Sequence, residues 1–450
     1  MAGPRAAQPG RGKLVYALLV LTAVYCFAFV DRQILNLLVG PIKREFAASD
    51  SQIGYLLGPA FIFSYASLGL PAGWWVDRTN RRNLVFGAGI VWGLGTMAAA
   101  FVTSYEALFL SRLVVGGSEA FLFPAGMSMI ADMFDKRRLP VATSVFLASP
   151  YIGGGLALIF GGLVLQWTES LPQVALPLIG GIPGWQFTFI IIGLVGLLPV
   201  LLLPTIHEPA RDRHDADEAA ADTRRYGFVQ GLAYMAQRWR YYFAFFFGAA
   251  CSSLVLTTVS AWAPTFLTRS FGMNPAAIGV NYGSLVLVFG LGGGLLSPIV
   301  NAFIARRHPL DSTMRTVRLG PVMVMLSALC LWFSTSQTMA LVCLACLTFA
   351  YSFPLSMAGT SLQLATPPRL RGSASAAYFV IVSLIGHGVG PTLVPLVTHN
   401  IFGDEARVGE ALALIAFVFG VLAFCLLSFA LRGFQIERGL REHPAVPKEF

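Results

Sequence analysis

The sequence predicts an all-α membrane protein with twelve transmembrane helices in two six-helix bundles. Of its 450 residues, 56% are hydrophobic and only 12% are charged, whereas soluble proteins carry about 25% charged residues. The apolar residues form runs of about 20 residues, each long enough to cross the hydrocarbon core of a bilayer. Lys and Arg are abundant in every second connection between the apolar runs and scarce in the others. Together these features exclude a soluble globular class.

The twelve spans are joined by short connections, apart from one long connection after the sixth. They are predicted at about 14–38, 52–76, 83–103, 106–131, 139–166, 185–205, 240–266, 276–304, 317–335, 338–364, 372–398 and 409–432. The first run is too long for a signal-peptide core and lacks a small-residue cleavage site. We therefore expect it to be retained as the first helix.

The positive charges predict the topology. They are concentrated in both chain ends, the long connection and every second loop, whereas the opposite loops contain only Lys43, Arg44, Arg269 and Arg407. The positive-inside rule then places both termini in the cytoplasm. No glycosylation acceptor occurs, and we expect the inner membrane of a bacterium. Because the net charge of +9 is spread over these loops, a nucleic-acid partner is not predicted.

The chain divides into five segments by polarity. They are a cytoplasmic tail at 1–13, a six-helix bundle at 14–206, a cytoplasmic loop at 207–239, a second bundle at 240–432 and a cytoplasmic tail at 433–450. The loop is mixed in charge, which predicts a solvated linker that can carry an amphipathic helix along the membrane surface. The halves form a weak repeat, with Asn301 where the first half has Asp77. Parallel halves around a midplane site are a common transporter plan.

Ionisable residues inside the spans indicate the functional site. Arg112 and Glu119 lie seven residues apart in the fourth span and project from one helix face. Gly116 and Gly117 between them allow a helix or a ligand to approach that face closely. Charged groups at this depth are costly, so they are a functional-site hypothesis by default.

Asp31 and Arg32 in the first span complete a neutral set of two acids and two bases. One interpretation is a structural network that fixes helix packing. The interpretation that we favour is a proton and anion site. In it, Glu119 and Asp31 carry protons, while Arg32, Arg112 and Glu119 bind the substrate.

The second half contains no Asp, Glu, Lys or Arg at depth. A charged wall would then face an apolar one, which suits an amphipathic substrate, and Tyr351 in the tenth span is a predicted substrate contact. His387 in the eleventh span is either a proton site or a hydrogen-bonded packing residue. The sequence leaves both interpretations of His387 open.

Two kinds of motif predict conformational change. A charged cluster at the end of the second span is expected to lock the halves together on the cytoplasmic side in one state; it comprises Asp77, Arg78, Arg81 and Arg82. Gly/Pro breaks in the fifth and eleventh spans permit bending and close helix contact. The predicted hinge residues are Pro150, Gly153, Gly154, Gly390 and Pro391.

No enzymatic activity, metal or cofactor is predicted. All six cysteines lie in apolar runs, and Cys343 and Cys346 are interpreted as packing residues because no second CxxC pair accompanies them. Nucleophile–base spacings and phosphate loops are also missing from the sequence. The expected partners are the lipid bilayer, protons and the substrate, and a monomer is expected.

Several motifs resemble the major facilitator superfamily. GWWVDRTNRR is similar to the superfamily's loop signature between the second and third helices, with Asn80 in place of the usual glycine. RLVVGGSEA resembles its fourth-helix signature, and SPYIGGG resembles the antiporter signature of the fifth helix with Ser149 in place of glycine. The resemblance covers the whole chain and implies two six-helix bundles that work by alternating access.

Within the superfamily, the chain resembles the Spinster family of lysolipid transporters. The similar stretches include VDRQILNLLVGPIKREF, GGSEAFLFPAGMSMIADMF and TPPRLRGSASAAYFVIVSLIGHGVGP. Members move lysophospholipids or sphingosine-1-phosphate, and some are thought to be proton-linked. The resemblance implies that Arg32 contacts a head group and that Glu119 and Asp31 take protons.

Other functions stay open. An organic-anion:proton symporter for small sugar acids also carries an Asp–Arg pair in its first helix and a Glu in its fourth, although more charge would be expected in its second half. A multidrug:proton antiporter is suggested by the fifth-helix motif, but lipophilic cations would not suit Arg32. A membrane receptor or scramblase-like protein would need no proton site and would show no dependence on a pH gradient.

Overall fold

The computed structural model describes residues 10–135, 138–171, 173–176, 180–209, 228–367 and 370–442. Helices account for nearly all of them, as predicted. Within these ranges, eleven helices are long and apolar enough to cross a membrane, judged by length and composition. The remaining predicted span, 52–76, corresponds to a short helix and a 20-residue helix in succession.

The first half contains ten helices and one β-hairpin in the described ranges. They are α1 (Arg11–Leu37), α2 (Val39–Phe46), α3 (Asp50–Leu57), α4 (Pro59–Arg78), α5 (Arg81–Ala98), α6 (Tyr105–Glu119), α7 (Leu122–Met133), α8 (Leu139–Leu147), α9 (Ser149–Glu169), β1 (Val174–Leu176), β2 (Gly180–Ile182) and α10 (Gly184–Leu201). The two strands are antiparallel, with Val174 opposite Ile182. Short 3₁₀ turns follow α5 and α10.

The second half begins with a short helix in the predicted central loop. Its elements are α11 (Phe228–Gln237), α12 (Trp239–Phe271), α13 (Pro275–Ala305), α14 (Ser312–Trp332), α15 (Gln337–Ala365), α16 (Arg371–Ser383), a π-helical turn (Leu384–Val389), α17 (Gly390–Val397), a second π-helical turn (Thr398–Phe402) and α18 (Val408–Glu442). Most of the predicted central loop, 210–227, lies outside the described residues.

Proline explains where several spans divide. The sequence predicts one continuous helix across 106–131, but α6 ends at Glu119 and α7 begins at Leu122. Pro124 cannot donate a hydrogen bond to the carbonyl of Ala120, so the helix is interrupted there. Pro59 and Pro150 occupy the first turns of α4 and α9, where a missing N–H costs nothing. Glu119 therefore lies at a helix end rather than inside a continuous helix.

Several helix pairs bring the two halves together. Three of them are α9 with α13, α3 with α17, and α1 with α12. Glycine permits the close approach at the first pair, because a Cβ on Gly155 would lie 2.9 Å from the carbonyl oxygen of Gly283. At the second pair, a Cβ on Gly54 would lie 3.1 Å from the carbonyl oxygen of Pro391.

Four charged residues join the halves on the face opposite the chain ends; we call them the Asp50 cluster. Lys43 Nζ contacts Asp50 Oδ1 at 2.5 Å and Glu405 Oε2 at 2.7 Å. Arg269 donates from Nη1 and Nη2 to the two carboxylate oxygens of Asp50, each at 2.7 Å. Lys43 and Asp50 belong to the first half, whereas Arg269 and Glu405 belong to the second. The cluster therefore links the two halves on that face.

Candidate substrate and proton site

Arg32 and Glu119 form an ion pair between α1 and the end of α6. Arg32 Nε donates to Glu119 Oε2 at 2.7 Å, and Arg32 Nη2 lies 2.6 Å from the same oxygen. The Glu119 side chain is fully buried, whereas that of Arg32 is 16% exposed. Arg32 thus presents the accessible side of the pair.

Three aromatic rings surround the Arg32 guanidinium. Its central carbon lies 4.2 Å from the ring centroid of Phe61, 4.8 Å from that of Phe29 and 5.1 Å from that of Tyr65. Contacts of this kind attract the cation to the ring faces and limit its rotamers. These rings hold the Arg32 side chain independently of its ion pair with Glu119.

Asp31 and Arg112 form a second, more deeply buried ion pair. Arg112 Nη1 donates to Asp31 Oδ2 at 2.9 Å, and Thr96 Oγ1 on α5 donates to Asp31 Oδ1 at 2.7 Å. The pair is nearly inaccessible, with side-chain exposures of 3% for Arg112 and 1% for Asp31. Removing one partner of such a pair leaves a buried charge and typically costs about 3–5 kcal/mol.

Glycine allows the α4 helix to approach this region. A Cβ on Gly116 would clash with the carbonyl oxygen of Phe61, and one on Gly117 would lie 2.9 Å from a methyl carbon of Leu68. The glycine pair of the fourth span thus accommodates another helix rather than a ligand. That helix carries Phe61 and Tyr65, two of the rings around Arg32.

A cavity of about 100 Å³ that is partly open to its surroundings lies between the halves beside these pairs. Arg32 and Arg112 line it from the first half, together with Gln33 and Asn36. The second half contributes polar residues as well as apolar ones, including Thr257, Ser260, His387, Leu256 and Pro391. The wall opposite Arg32 is therefore less apolar than the sequence predicts, because Thr257, Ser260 and His387 line it.

Three buried polar atoms in this region have no hydrogen-bond partner among the described residues. They are Glu119 Oε1, Arg112 Nε and His387 Nδ1. Unpaired buried polar atoms are uncommon, and each calls for an explanation such as a functional role or bound water. Two of the three belong to residues that line the cavity, so a ligand or water there would find donors and acceptors.

Tyr351 is not among the residues that line this cavity, although it contacts Ser260, which does. It is 3% exposed, and its hydroxyl donates to Thr348 within α15 at 3.3 Å. The aromatic residues at the start of α12 likewise pack in a core of the second half. The predicted contact between Tyr351 and substrate is therefore unsupported in this conformation and stays a prediction.

The predicted gating residues contact the first half. Arg81 is 1% exposed and binds Glu208, Ser128 and Asp132. The Arg82 backbone N–H donates to Glu208 at 2.8 Å, and Arg78 lies over the ring of Trp74. The side chain of Asp77 lies outside the described residues. These contacts tie the start of the central loop to the first bundle, and a lock between the bundles stays a prediction.

The predicted hinges lie where helices end or cross. Gly153 packs against the Cys26 carbonyl of α1, and Gly154 faces Gln33. Gly390 begins α17 directly after the π-helical turn that contains His387, and the carbonyl of Pro391 accepts a hydrogen bond from Trp262 at 2.7 Å. Their movement during a transport cycle stays a prediction.

Sequence reasoning missed Thr96, Gln33, Asn36, Thr257 and Ser260. Gln33 and Asn36 follow Arg32 within about one turn of α1, which is a signal that could have found them. Hydroxyl residues are frequent in membrane helices and usually bond within the bundle, so Thr96, Thr257 and Ser260 give no distinct signal.

Three relatives span most of this chain. An "MFS-type efflux pump" of Mycolicibacterium smegmatis is 28% identical, with 92% of this chain and 90% of the relative aligned. A D-galactonate transporter of Escherichia coli O6:H1 is 25% identical over 94% of this chain and 97% of the relative. Protein spinster homolog 1 of Rattus norvegicus is 26% identical over 87% of this chain and 74% of the relative.

A solved structure shares the fold. It is the crystal structure of a bacterial homologue of the human lysosomal transporter Spinster, in an inward-facing and unoccupied conformation. The TM-score is 0.79 with 22% identity, covering 95% of this chain and 99% of that chain. The Major Facilitator Superfamily model matches residues 21–391, which confirms the predicted superfamily. This chain is a multi-pass membrane transporter, not an enzyme, and it belongs to the Major Facilitator Superfamily.

Proposed function

We propose that this protein is a proton-coupled secondary active transporter of an amphipathic anionic lipid, such as a lysophospholipid or a sphingosine-1-phosphate-like molecule. The observation that carries the proposal is the Arg32–Glu119 pair. The arginine is accessible from the cavity, while the carboxylate is fully buried with one oxygen unpartnered among the described residues.

The proposed cycle begins with protonation of one carboxylate. When Glu119 takes a proton, its attraction for Arg32 weakens, and the guanidinium becomes free to bind an anionic group bidentately. After the change of access, loss of the proton restores the Arg32–Glu119 pair and displaces the substrate. Asp31 and Arg112 form a second ion pair. Protonation of Asp31 would release Arg112 in the same way.

The surroundings of Arg32 support an amphipathic substrate. Phe29, Phe61 and Leu57 form an apolar surface directly beside the charged group. A lipid would place its anionic head at Arg32 and its tail along these side chains. The similarity to Spinster proteins supports the same substrate class.

A small sugar acid is the second candidate, because the opposite wall is polar. Asn36, Thr257, Ser260 and His387 face the cavity and could bind hydroxyl groups. A relative of this chain is named a D-galactonate transporter. Efflux of lipophilic cations, suggested by another relative's name, is disfavoured because two arginines line the cavity.

We further propose that the protein acts as a monomer in the inner membrane of a bacterium, with both termini in the cytoplasm. The distribution of Lys and Arg supports this orientation. The Asp50 cluster would then lie on the outer side, and the structure would represent a state closed to that side. Asp77, Arg78, Arg81 and Arg82 would close the cytoplasmic side in the other state, with the Gly/Pro breaks as hinges.

Transport by purified protein in liposomes tests the substrate class. Labelled lysophosphatidate and labelled D-galactonate are compared under an imposed pH gradient, and albumin extracts lysolipid from the outer leaflet so that only translocated lipid is counted. We expect gradient-dependent movement of the lysolipid. Movement of D-galactonate alone would favour the sugar-acid function. Equal lysolipid movement with and without a gradient would contradict proton coupling.

A further inference from the structure

The two buried carboxylates differ in how their oxygens are bonded. Both oxygens of Asp31 accept hydrogen bonds, one from Thr96 at 2.7 Å and one from Arg112 at 2.9 Å. Both contacts of Glu119 with Arg32 are made by Oε2, which accepts a hydrogen bond from Nε and lies 2.6 Å from Nη2. Its Oε1 is buried and has no partner among the residues that the structure describes.

This difference decides which acid takes a proton first. Hydrogen bonds to both oxygens stabilise the ionised form of a carboxylate, whereas a buried oxygen without a donor has lost its hydration without replacement. A proton on Glu119 Oε1 displaces no existing hydrogen bond, and it removes the negative charge that holds Arg32 on Oε2. A proton on Asp31 would have to displace Thr96 or Arg112.

We propose that Thr96 is a positioning residue that keeps Asp31 ionised and thereby makes Glu119 the proton carrier. The proposal rests on the proposed proton-coupled function and deepens it. Thr96 is not among the residues that line the cavity. It acts through Asp31, which in turn fixes Arg112 beside the cavity.

The other groups around Asp31 agree with this assignment. The charged groups of this region are Arg112 and Glu119 on the fourth span and Arg32 on the helix of Asp31. Tyr25 on α1 and Tyr65 on α4 are the tyrosines beside them. The packed sixth span, α10, contains no ionisable side chain between Gly184 and Leu201. In α9, Ser149 donates to the α1 carbonyl of Thr22, and Tyr151 packs on Gly290 of α13. In α12, the ionisable residues Arg240, Tyr241, Tyr242 and Arg269 lie near the helix ends. Cys251, farther along the same helix, is a buried free thiol.

Paired substitutions test the role of Thr96. Thr96→Val keeps the shape of the side chain and removes the donor, while Thr96→Ser keeps the donor. A hydrogen bond to a charged group is worth about 1.5–3 kcal/mol, which corresponds to about one pH unit or more. We expect the pH profile of uptake, which Glu119 alone controls in wild type, to gain a second titration step from Asp31 in Thr96→Val and to keep the wild-type form in Thr96→Ser. Identical profiles for the two variants would overturn the proposal.

Infrared difference spectroscopy tests the assignment without transport. The protonated-carboxyl band of the purified protein should disappear in Glu119→Gln and persist in Asp31→Asn. In Thr96→Val a second protonated carboxyl should appear, and it should be absent when Asp31→Asn is added. A wild-type band that survives Glu119→Gln contradicts the proposal, even if Thr96→Val does not fold. Absence of gradient-driven uptake by wild type would instead count against the proposed function.

Discussion

Arg32 is the side chain on which substrate binding and proton release both depend in the proposed cycle. Arg32→Lys keeps the positive charge but loses the two-point contact with Glu119 and the stacking on Phe61. We expect the KM for substrate to rise by roughly tenfold, equivalent to about 1.4 kcal/mol, with a smaller change in the maximal rate. Initial uptake rates over a range of substrate concentrations measure this effect.

Arg44→Lys is the matched control for that substitution. Arg44 is 73% exposed and pairs with Glu169 at 3.3 Å within the first half, and exposed pairs contribute little. A KM for Arg32→Lys equal to that of the control would show that Arg32 does not bind the substrate.

At the same scale, sequence identified the charged residues but not their pairing. Ionisable groups are rare inside membrane helices, so Asp31, Arg32, Arg112 and Glu119 are conspicuous. Arg112 and Glu119 share a helix face, yet each pairs with a residue of α1. This pairing depends on where α1 lies relative to α6. No local sequence pattern specifies that position.

At the scale of helices, Gly116 tests the packing between α4 and α6. Gly116→Ala places a methyl group against the Phe61 carbonyl, and overpacking of this kind typically costs about 1–3 kcal/mol. We expect a lower thermal unfolding temperature in detergent and weaker substrate binding, because Phe61 contacts Arg32.

Gly87→Ala provides the comparison for Gly116→Ala. Gly87 lies inside α5 with open space around it, and alanine is favoured over glycine in a helix by about 0.5–1 kcal/mol. Its unfolding temperature should be equal to or above that of wild type. Equal stability of the two variants would contradict the close packing of α4 on α6.

Most helices could be predicted from hydropathy, while their interruptions could not. The span predicted at 106–131 is two helices, because Pro124 removes a donor directly after Glu119. Proline is tolerated in many membrane helices, so its presence alone does not predict a break. The π-helical turn that contains His387 likewise depends on tertiary contacts with α12.

At the scale of the whole molecule, we predict that the Asp50 cluster stabilises the conformation in which the two halves meet on the face opposite the chain ends. Asp50→Asn weakens the contacts of the first half with Arg269, so the opposite conformation should become more populated. Spin labels at Ser51 and Ser270 would report this as a larger fraction of long distances. Arg44→Gln, which removes an ion pair within one half, should leave the distances unchanged. Equal distributions in both variants would show that the cluster does not hold the face closed.

The Asp50 cluster is not expected to sense pH in the physiological range. Burial alone would raise the pKa of Asp50, but hydrogen bonds from Arg269 and Lys43 hold the pKa below its ordinary value of 3.8. A carboxylate with a lowered pKa keeps its contribution above the ordinary value and loses it only as the pH falls further. Asp50→Asn should therefore leave the pH of half-maximal uptake unchanged between about pH 5 and 8, which a pH series of uptake rates would check.

The division into two bundles could be predicted from the long polar connection and the charge distribution, whereas the Asp50 cluster could not. Lys43 and Arg269 appear in the sequence as exceptions to the positive-inside pattern. They lie more than 200 residues apart, and only the packing of the two halves brings both to Asp50.

The most direct test of whether Glu119 carries the coupled proton compares two transport modes of Glu119→Gln in liposomes. Glutamine resembles the protonated acid, so Arg32 should be free in this variant. We expect it to exchange labelled for unlabelled lysophosphatidate across the membrane but to show no accumulation in response to a pH gradient. Gradient-driven accumulation at the wild-type level would contradict the claim that Glu119 carries the coupled proton.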